Sequence, residues 1–142
     1  MEIINFKKLH KDAVTPFYAT DGSNAMDLTA IKEEYVEYGT AIKYYFGLAF
    51  EIPKGKVGLI FPRSSIYKTD LTLSNAVGVI DSDYRGEITA IFKIFDTGYT
   101  TYKVGDRVAQ IMFIDAPQIK LKEVTELTPT VRGAGGYGST GK

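Results

Sequence analysis

The chain has 142 residues, no cysteine, and equal numbers of Lys plus Arg and Asp plus Glu, 17 each. That length makes one domain with room for a real core. A formal charge of zero gives no global field to draw nucleic acid or an anionic membrane. Without cysteine there is no disulfide, thiolate zinc site or cysteine nucleophile. The first ten residues hold no apolar stretch of signal-peptide length, and the near-apolar run Tyr44 to Phe50 is far too short to span a bilayer. An intracellular, cytoplasmic protein is the expectation.

In chain order, Met1 to Leu9 alternates weakly, as an edge strand would. His10 is the only histidine and is given no role. Pro16 to Asn24 is turn-rich. Ala25 to Ile31 reads as a strand containing Asp27, and Glu33 to Gly39 as a polar connection. Thr40 to Ile52 reads as one β-branched and aromatic strand, closed by the turn Pro53-Lys54-Gly55-Lys56. Val57 to Phe61 is fully apolar but for Gly58 and reads as a buried strand. Pro62-Arg63-Ser64-Ser65 breaks it, with Ser64 or Ser65 placed to cap a short helical turn, Ile66 to Thr69. Leu71 to Ile80 resumes extended structure.

The stretch Gly78-Val79-Ile80-Asp81-Ser82-Asp83-Tyr84-Arg85-Gly86 reads as a β-hairpin or short β-arch that presents two carboxylates and an aromatic ring at its tip. Carboxylates in a turn commonly bond their own backbone, but here Asn75 and Tyr84 flank them. Ile88, Ala90, Phe92 and Ile94 then alternate as a strand. Asp96-Thr97-Gly98 is a predicted turn, Thr101 to Val104 a short strand and Gly105-Asp106 a hairpin turn. Val108 to Ile114 is a buried strand, and Ile119 to Val124 a last one. Five glycines fall between residues 133 and 141, a composition that cannot pack a core of its own. The expected division is a β domain over 1–128 and a flexible glycine-rich segment over 129–142. Many short strands without a long amphipathic helix predict an all-β antiparallel sandwich, jelly roll or barrel.

Several clusters have chemical potential. Arg63 with two hydroxyls at a chain break can cradle phosphate. Gly105-Asp106-Arg107-Val108-Ala109-Gln110 reads first as a hairpin with a surface ion pair, but Gln110 is an amide on an apolar strand and needs partners. The segment Arg132 to Gly141 combines glycine backbone, Arg, Ser and Thr with Tyr137, whose ring can stack on a base. It lacks the lysine and following helix of a P-loop.

Taken together and in this order, the clusters resemble the five motifs of the homotrimeric dUTPase family. The first motif is similar to Ala25-Met26-Asp27-Leu28, the second to Pro62-Arg63-Ser64-Ser65, and the third to Asn75 through Gly86. The fourth is similar to Gly105 through Gln110, and the fifth to Arg132 through Gly141. Two positions depart from the pattern: Asn24-Ala25-Met26 stands where a glycine is common, and Tyr137 where Phe is usual.

The resemblance implies a jelly-roll subunit, a trimer with sites shared between chains, and hydrolysis of dUTP to dUMP and pyrophosphate with Mg²⁺. It implies Asp81 as the general base and Asp27 as a metal contact through water. Arg63, Ser64, Ser65 and Gln110 match phosphate contacts. Tyr84 matches the ring that excludes a 2′-hydroxyl, and Asn75 with the backbone that follows, Val77 included, matches the uracil reader. Arg132, Ser139 and Thr140 match γ-phosphate contacts on a lid, Gly135 and Gly138 its substrate-binding glycines, and Tyr137 the ring over uracil. A dCTP deaminase of the same fold would need a glutamate where Ile91 stands, which argues against deamination. A regulatory protein of this fold that binds dUTP and a repressor is the alternative reading. A capsid-type jelly roll would have no need of the five motifs.

Overall fold

The computed structural model describes residues 2–96 and 100–141. Its architecture is all-β and jelly-roll-like, one of the three forms that the spacing of turns predicts and the one that the resemblance implies. Among the described residues, β1 (Asn5–Lys8) pairs with β5 (Leu48–Glu51) as a two-stranded ribbon. One four-stranded sheet runs in the order β2 (Met26–Thr29), β10 (Arg107–Asp115), β6 (Lys56–Pro62), β8 (Gly78–Ile80). The other runs β3 (Lys32–Val36), β4 (Ala41–Tyr45), β9 (Thr89–Ile94), β7 (Leu71–Leu73). Every pairing is antiparallel.

The core lies between the two larger sheets. Leu28, Ile60 and Ile111 enter from one sheet and Ile42, Tyr44 and Phe92 from the other, all buried. Tyr44 packs edge-on against Phe92 and Tyr102, with ring centroids 5.7 and 6.5 Å away. Its hydroxyl donates to the Tyr102 carbonyl at 2.8 Å. Burial, with Glu33 nearby, pushes the Tyr44 phenol well above its usual range, so it stays a neutral donor.

The structure corrects five of the expected strand and loop assignments. Glu33 to Gly39 is not a connection: Lys32–Val36 is strand β3, and only Glu37–Gly39 forms a 3₁₀ turn. A strand with one solvated face carries charge, and Glu34 and Lys43 face each other across β3 and β4. Thr40 to Ile52 is two strands in two different sheets. The chain breaks at Gly47, whose φ of +65 suits glycine, and a Cβ there would sit 2.6 Å from Ile31 Cδ1. Leu71 to Ile80 is likewise two strands, β7 and β8, separated by a tight turn. Thr101 to Val104 is not a strand, although Tyr102 is buried in the core. Ile119 to Val124 is also not a strand. Its Ile119, Leu121 and Val124 are exposed, so an apolar alternation stands without a partner in the single chain. The predicted turn at Asp96-Thr97-Gly98 lies in part outside the described residues.

Candidate active site

The stretch Gly78 to Gly86 is a β-arch, not a hairpin. Strand β8 pairs with β6 in one sheet, while β9 pairs with β4 and β7 in the other. The arch therefore crosses the end of the sandwich and holds Asp81 to Asp83 at its crest. Asp81, Asp83 and Tyr84 are exposed. Tyr84 N–H donates to the Asp81 carbonyl at 3.1 Å, and Arg85 turns back to the Ser82 carbonyl at 2.7 Å. A small cavity of about 160 Å³ lies beside the arch, lined by Asp81, Tyr84, Glu87 and Thr89 among others.

The turn before β8 presents Asn75 and Val77. Val77 N–H bonds the Asn75 carbonyl at 2.6 Å across Ala76, whose φ is +61. A non-glycine residue held in this left-handed region stores strain, and such strain collects at functional positions. Asn75 opens onto a larger cavity of about 740 Å³, bordered also by Ser74, Gly78 and Ile80.

A second cluster gathers Asp27, Arg63 and Arg107. Asp27 is the one buried charged residue among those described, at 6% exposure. Its Oδ1 accepts from Arg63 Nε at 3.0 Å and its Oδ2 from Arg107 Nη1 at 2.8 Å. Arg63 also donates from Nη1 to the Arg107 carbonyl at 3.0 Å. Burying a carboxylate costs several kcal/mol unless it is paired, and here two guanidiniums compensate it. The β-bulge between Arg107 and Ala109 in the pairing with β2 aims Arg107 at Asp27. Phe17 covers the pair, its ring 5.9 Å from the Arg107 guanidinium.

Gln110 lies directly across from Asp27 on β10, so the two share a face. Its Nε2 donates to the Pro62 carbonyl at 2.9 Å, which meets the need for a partner. Ser64 is exposed at the start of the 3₁₀ turn Ser64–Lys68. Neither serine caps that turn; its N-cap is Arg63, with no side-chain bond. The Ser65 hydroxyl instead meets the Tyr102 hydroxyl at 3.0 Å.

The two clusters lie apart. Ile80 faces Gly58 on β6, so Asp81 lies beyond the Gly58 end of that strand. Arg63 follows the opposite end, five residues further on. At about 3.3 Å per residue, the separation is on the order of 17 Å. That exceeds the span from α- to γ-phosphorus in one triphosphate. A third group, Arg132 through Gly141, forms local turns: Arg132 Nε donates to the Gly135 carbonyl at 2.9 Å, and Ser139 N–H to Gly136. Among the described residues, none of 129–141 is buried, and Tyr137, Gly138, Ser139 and Thr140 are exposed.

Arg107 and Phe17 escaped the sequence reading. The stretch around Arg107 reads in sequence as a hairpin with a surface ion pair. Asp106 instead accepts from the Lys103 N–H at 2.7 Å, and Arg107 pairs with Asp27. The one signal available was the lone acidic residue Asp27 among the apolar residues of a buried strand, which must find a cation somewhere in the chain.

No group of three His, Asp or Glu side chains able to cage a metal exists among the described residues. No helix among them is long and apolar enough to cross a membrane. The dUTPase family model matches residues 11–141. The deoxyuridine 5′-triphosphate nucleotidohydrolase of Nautilia profundicola is 39% identical over 98% of this chain and 99% of its own length. A point mutant of the Staphylococcus bacteriophage 80alpha dUTPase, solved with dUpNHpp, superimposes with a TM-score of 0.75 at 23% identity, covering all of both chains. A point mutant of the dUTPase of S. aureus phage phi11, described with a structural Mg(II) ion, has a TM-score of 0.74 at 20% identity over 88% of this chain and 98% of that one. With a family match over nearly the whole chain and a full-length relative at this identity, the chain belongs to the dUTPase family.

Proposed function

We propose that the chain hydrolyses dUTP to dUMP and pyrophosphate at sites assembled from more than one copy. Family membership carries the reaction. The separation of Asp81 from Arg63 along β6 is the observation that supports sharing between chains.

In this reading Asp81 takes the proton of a water molecule whose oxygen attacks the α-phosphorus. A bond forms from that oxygen to phosphorus, and the bond from phosphorus to the bridging oxygen breaks, releasing pyrophosphate. An exposed carboxylate at the crest of an arch can reach such a water. Arg63, Ser64, Ser65 and Gln110 from a neighbouring chain position the phosphates and stabilise charge on the leaving group. Arg63 suits the task because Asp27 fixes its fork through Nε. Gln110 keeps one amide N–H beyond its bond to Pro62.

Tyr84 packs beneath the deoxyribose and leaves no space for a 2′-hydroxyl. Asn75 and the backbone through Val77 pair with the edge of uracil. Residues 129–142 act as a lid: Arg132, Ser139 and Thr140 meet the γ-phosphate, Gly135 and Gly138 let backbone approach, and Tyr137 covers the base.

A Mg²⁺ ion would be carried mainly by the triphosphate and water, the common habit of that ion; Asp27, whose two oxygens are held by Arg63 and Arg107, would reach it only through water. When bound it neutralises phosphate charge.

The assembly is a homotrimer. Val79, Leu59 and Met112 form an apolar row across β8, β6 and β10, and Val79 is 61% exposed. A neighbouring chain would cover that row. The substrate class supports an intracellular, cytoplasmic location.

Pyrophosphate release from dUTP, compared with dTTP, dCTP and UTP, tests this function. dUTP should be hydrolysed well ahead of the other three, and equal rates for UTP or dCTP would overturn the assignment.

A further inference from the structure

Tyr84 does not stand free at the arch. Its ring folds back over Gly86, and its hydroxyl donates to the Glu87 carbonyl at 3.0 Å. A Cβ at position 86 would lie 2.6 Å from Tyr84 Cζ, 3.0 Å from Cε2 and closer still to Oη. Real Cβ contacts do not reach such distances. The φ of Gly86 is not in the left-handed region, so glycine is required here for the ring and not for the backbone.

Glu87 is itself fastened on its other side. Its Oε1 accepts from the Gly47 N–H at 2.9 Å, at the break where the chain leaves β4 for β5. Ile88 N–H then bonds the Leu48 carbonyl at 2.8 Å, and Ile88 is buried. The carbonyl that receives the Tyr84 hydroxyl is thus set by a rigid part of the sandwich and not by the exposed crest.

We propose that Gly86 and Glu87 are specificity-positioning residues that set the sugar choice by fixing the plane of Tyr84. Gly86 acts by lacking a side chain, which seats the ring against the backbone. Glu87 acts by holding its carbonyl where the phenol can donate. The inference rests on the reading of Tyr84 as the ring beneath the deoxyribose. Rejection of a 2′-hydroxyl is a steric task, and an ångström of ring displacement is enough to lose it.

A methyl group at position 86 meets the far end of a movable side chain, so the ring gives way and the arch stays folded. The test is the ratio of kcat/KM for dUTP to that for UTP in the full-length protein. Gly86→Ala should lower the ratio roughly 10-fold or more, with a melting temperature close to wild type. Tyr84→Phe, which keeps the seat and loses the tether, should lower it less. The cycle with Tyr84→Ala isolates the route: Gly86→Ala should add nothing to the ratio once the ring is gone.

A Gly86→Ala protein that keeps the wild-type ratio overturns the proposal. So does one that fails to fold, since the backbone and not the ring would then have yielded. A double variant that loses further discrimination also overturns it. A wild-type chain indifferent to the sugar instead strikes the parent reading of Tyr84. Discrimination that survives Gly86→Ala strikes this inference alone.

Discussion

At the Pro62 end of β6 the charged groups are already engaged in the free chain. Asp27 holds both arginines, one of them also reaches a carbonyl, and Gln110 is anchored on Pro62. Beyond the other end of the strand, Asp81 stands exposed at the crest of the arch. The contrast follows the work each end is proposed to do. Electrostatic stabilisation gains from dipoles and charges fixed before the substrate arrives. A general base must exchange a proton with water and needs solvent access. Rigid charge and accessible base thus occupy separate ends of one strand.

The largest expected effect comes from the accessible end. Asp81→Asn keeps the shape and removes the basicity, so turnover should fall at least ~10²-fold while dUTP still binds. Near wild-type turnover would remove Asp81 from its role. The same variant sharpens the contrast when mixed, by joint refolding, with Arg63→Ala. Two inactive proteins should regain part of the activity, because some sites then pair an intact arch with an intact arginine cluster. Failure of any mixture to recover activity would argue for sites contained within single chains.

A smaller effect is expected from the C-terminal segment, which belongs to neither end. Ending the chain after Val131 should leave the sandwich folded and drastically reduce turnover of dUTP, by at least ~10-fold, each tenfold being roughly 1.4 kcal/mol of lost contact. It should also narrow the affinity gap between dUTP and dUMP. Full-rate hydrolysis by the truncated protein would deny the segment its lid role.

The smallest effect on turnover is expected at Asp27. Asp27→Asn leaves two guanidiniums without their counter-charge, and it should lower folding stability by roughly 3 kcal/mol, since Arg107 is part-exposed. Turnover should drop less than for Asp81→Asn. Denaturant unfolding monitored by circular dichroism reads the stability. Wild-type stability in this variant would show that the buried cluster is not the rigid end described.

The motifs were legible in the sequence because each is local: the polar crest at Asp81, the chain break at Pro62, the glycines after Arg132. Partners distant in the chain were not. Nothing near Asp27 says that Arg107 closes on it, and nothing near Ser65 says that its hydroxyl meets Tyr102. The division of Thr40 to Ile52 into two strands hinges on Gly47, whose positive φ and crowding against Ile31 depend on packing from another element. The strand β3 hid in a charged stretch because its exposed face is solvated. The opposite error arose at Ile119 to Val124. Apolar alternation is a statement about burial, and a single chain does not bury those residues.

The pairing of Asp27 with Arg107 also bears on how the chain is made. The two residues are 80 positions apart, and among the described residues β2 finds its neighbour strand in β10 alone. At roughly 5–20 residues per second on a ribosome, β2 waits on the order of 4–16 s for its partner. During that interval Asp27 lacks both guanidiniums until Arg63, 36 positions on, is made, and then lacks one; β2 meanwhile offers unpaired backbone apart from its bridge to Phe17. A chain halted before β10 would carry an open strand edge beside a half-compensated carboxylate, a form prone to self-association.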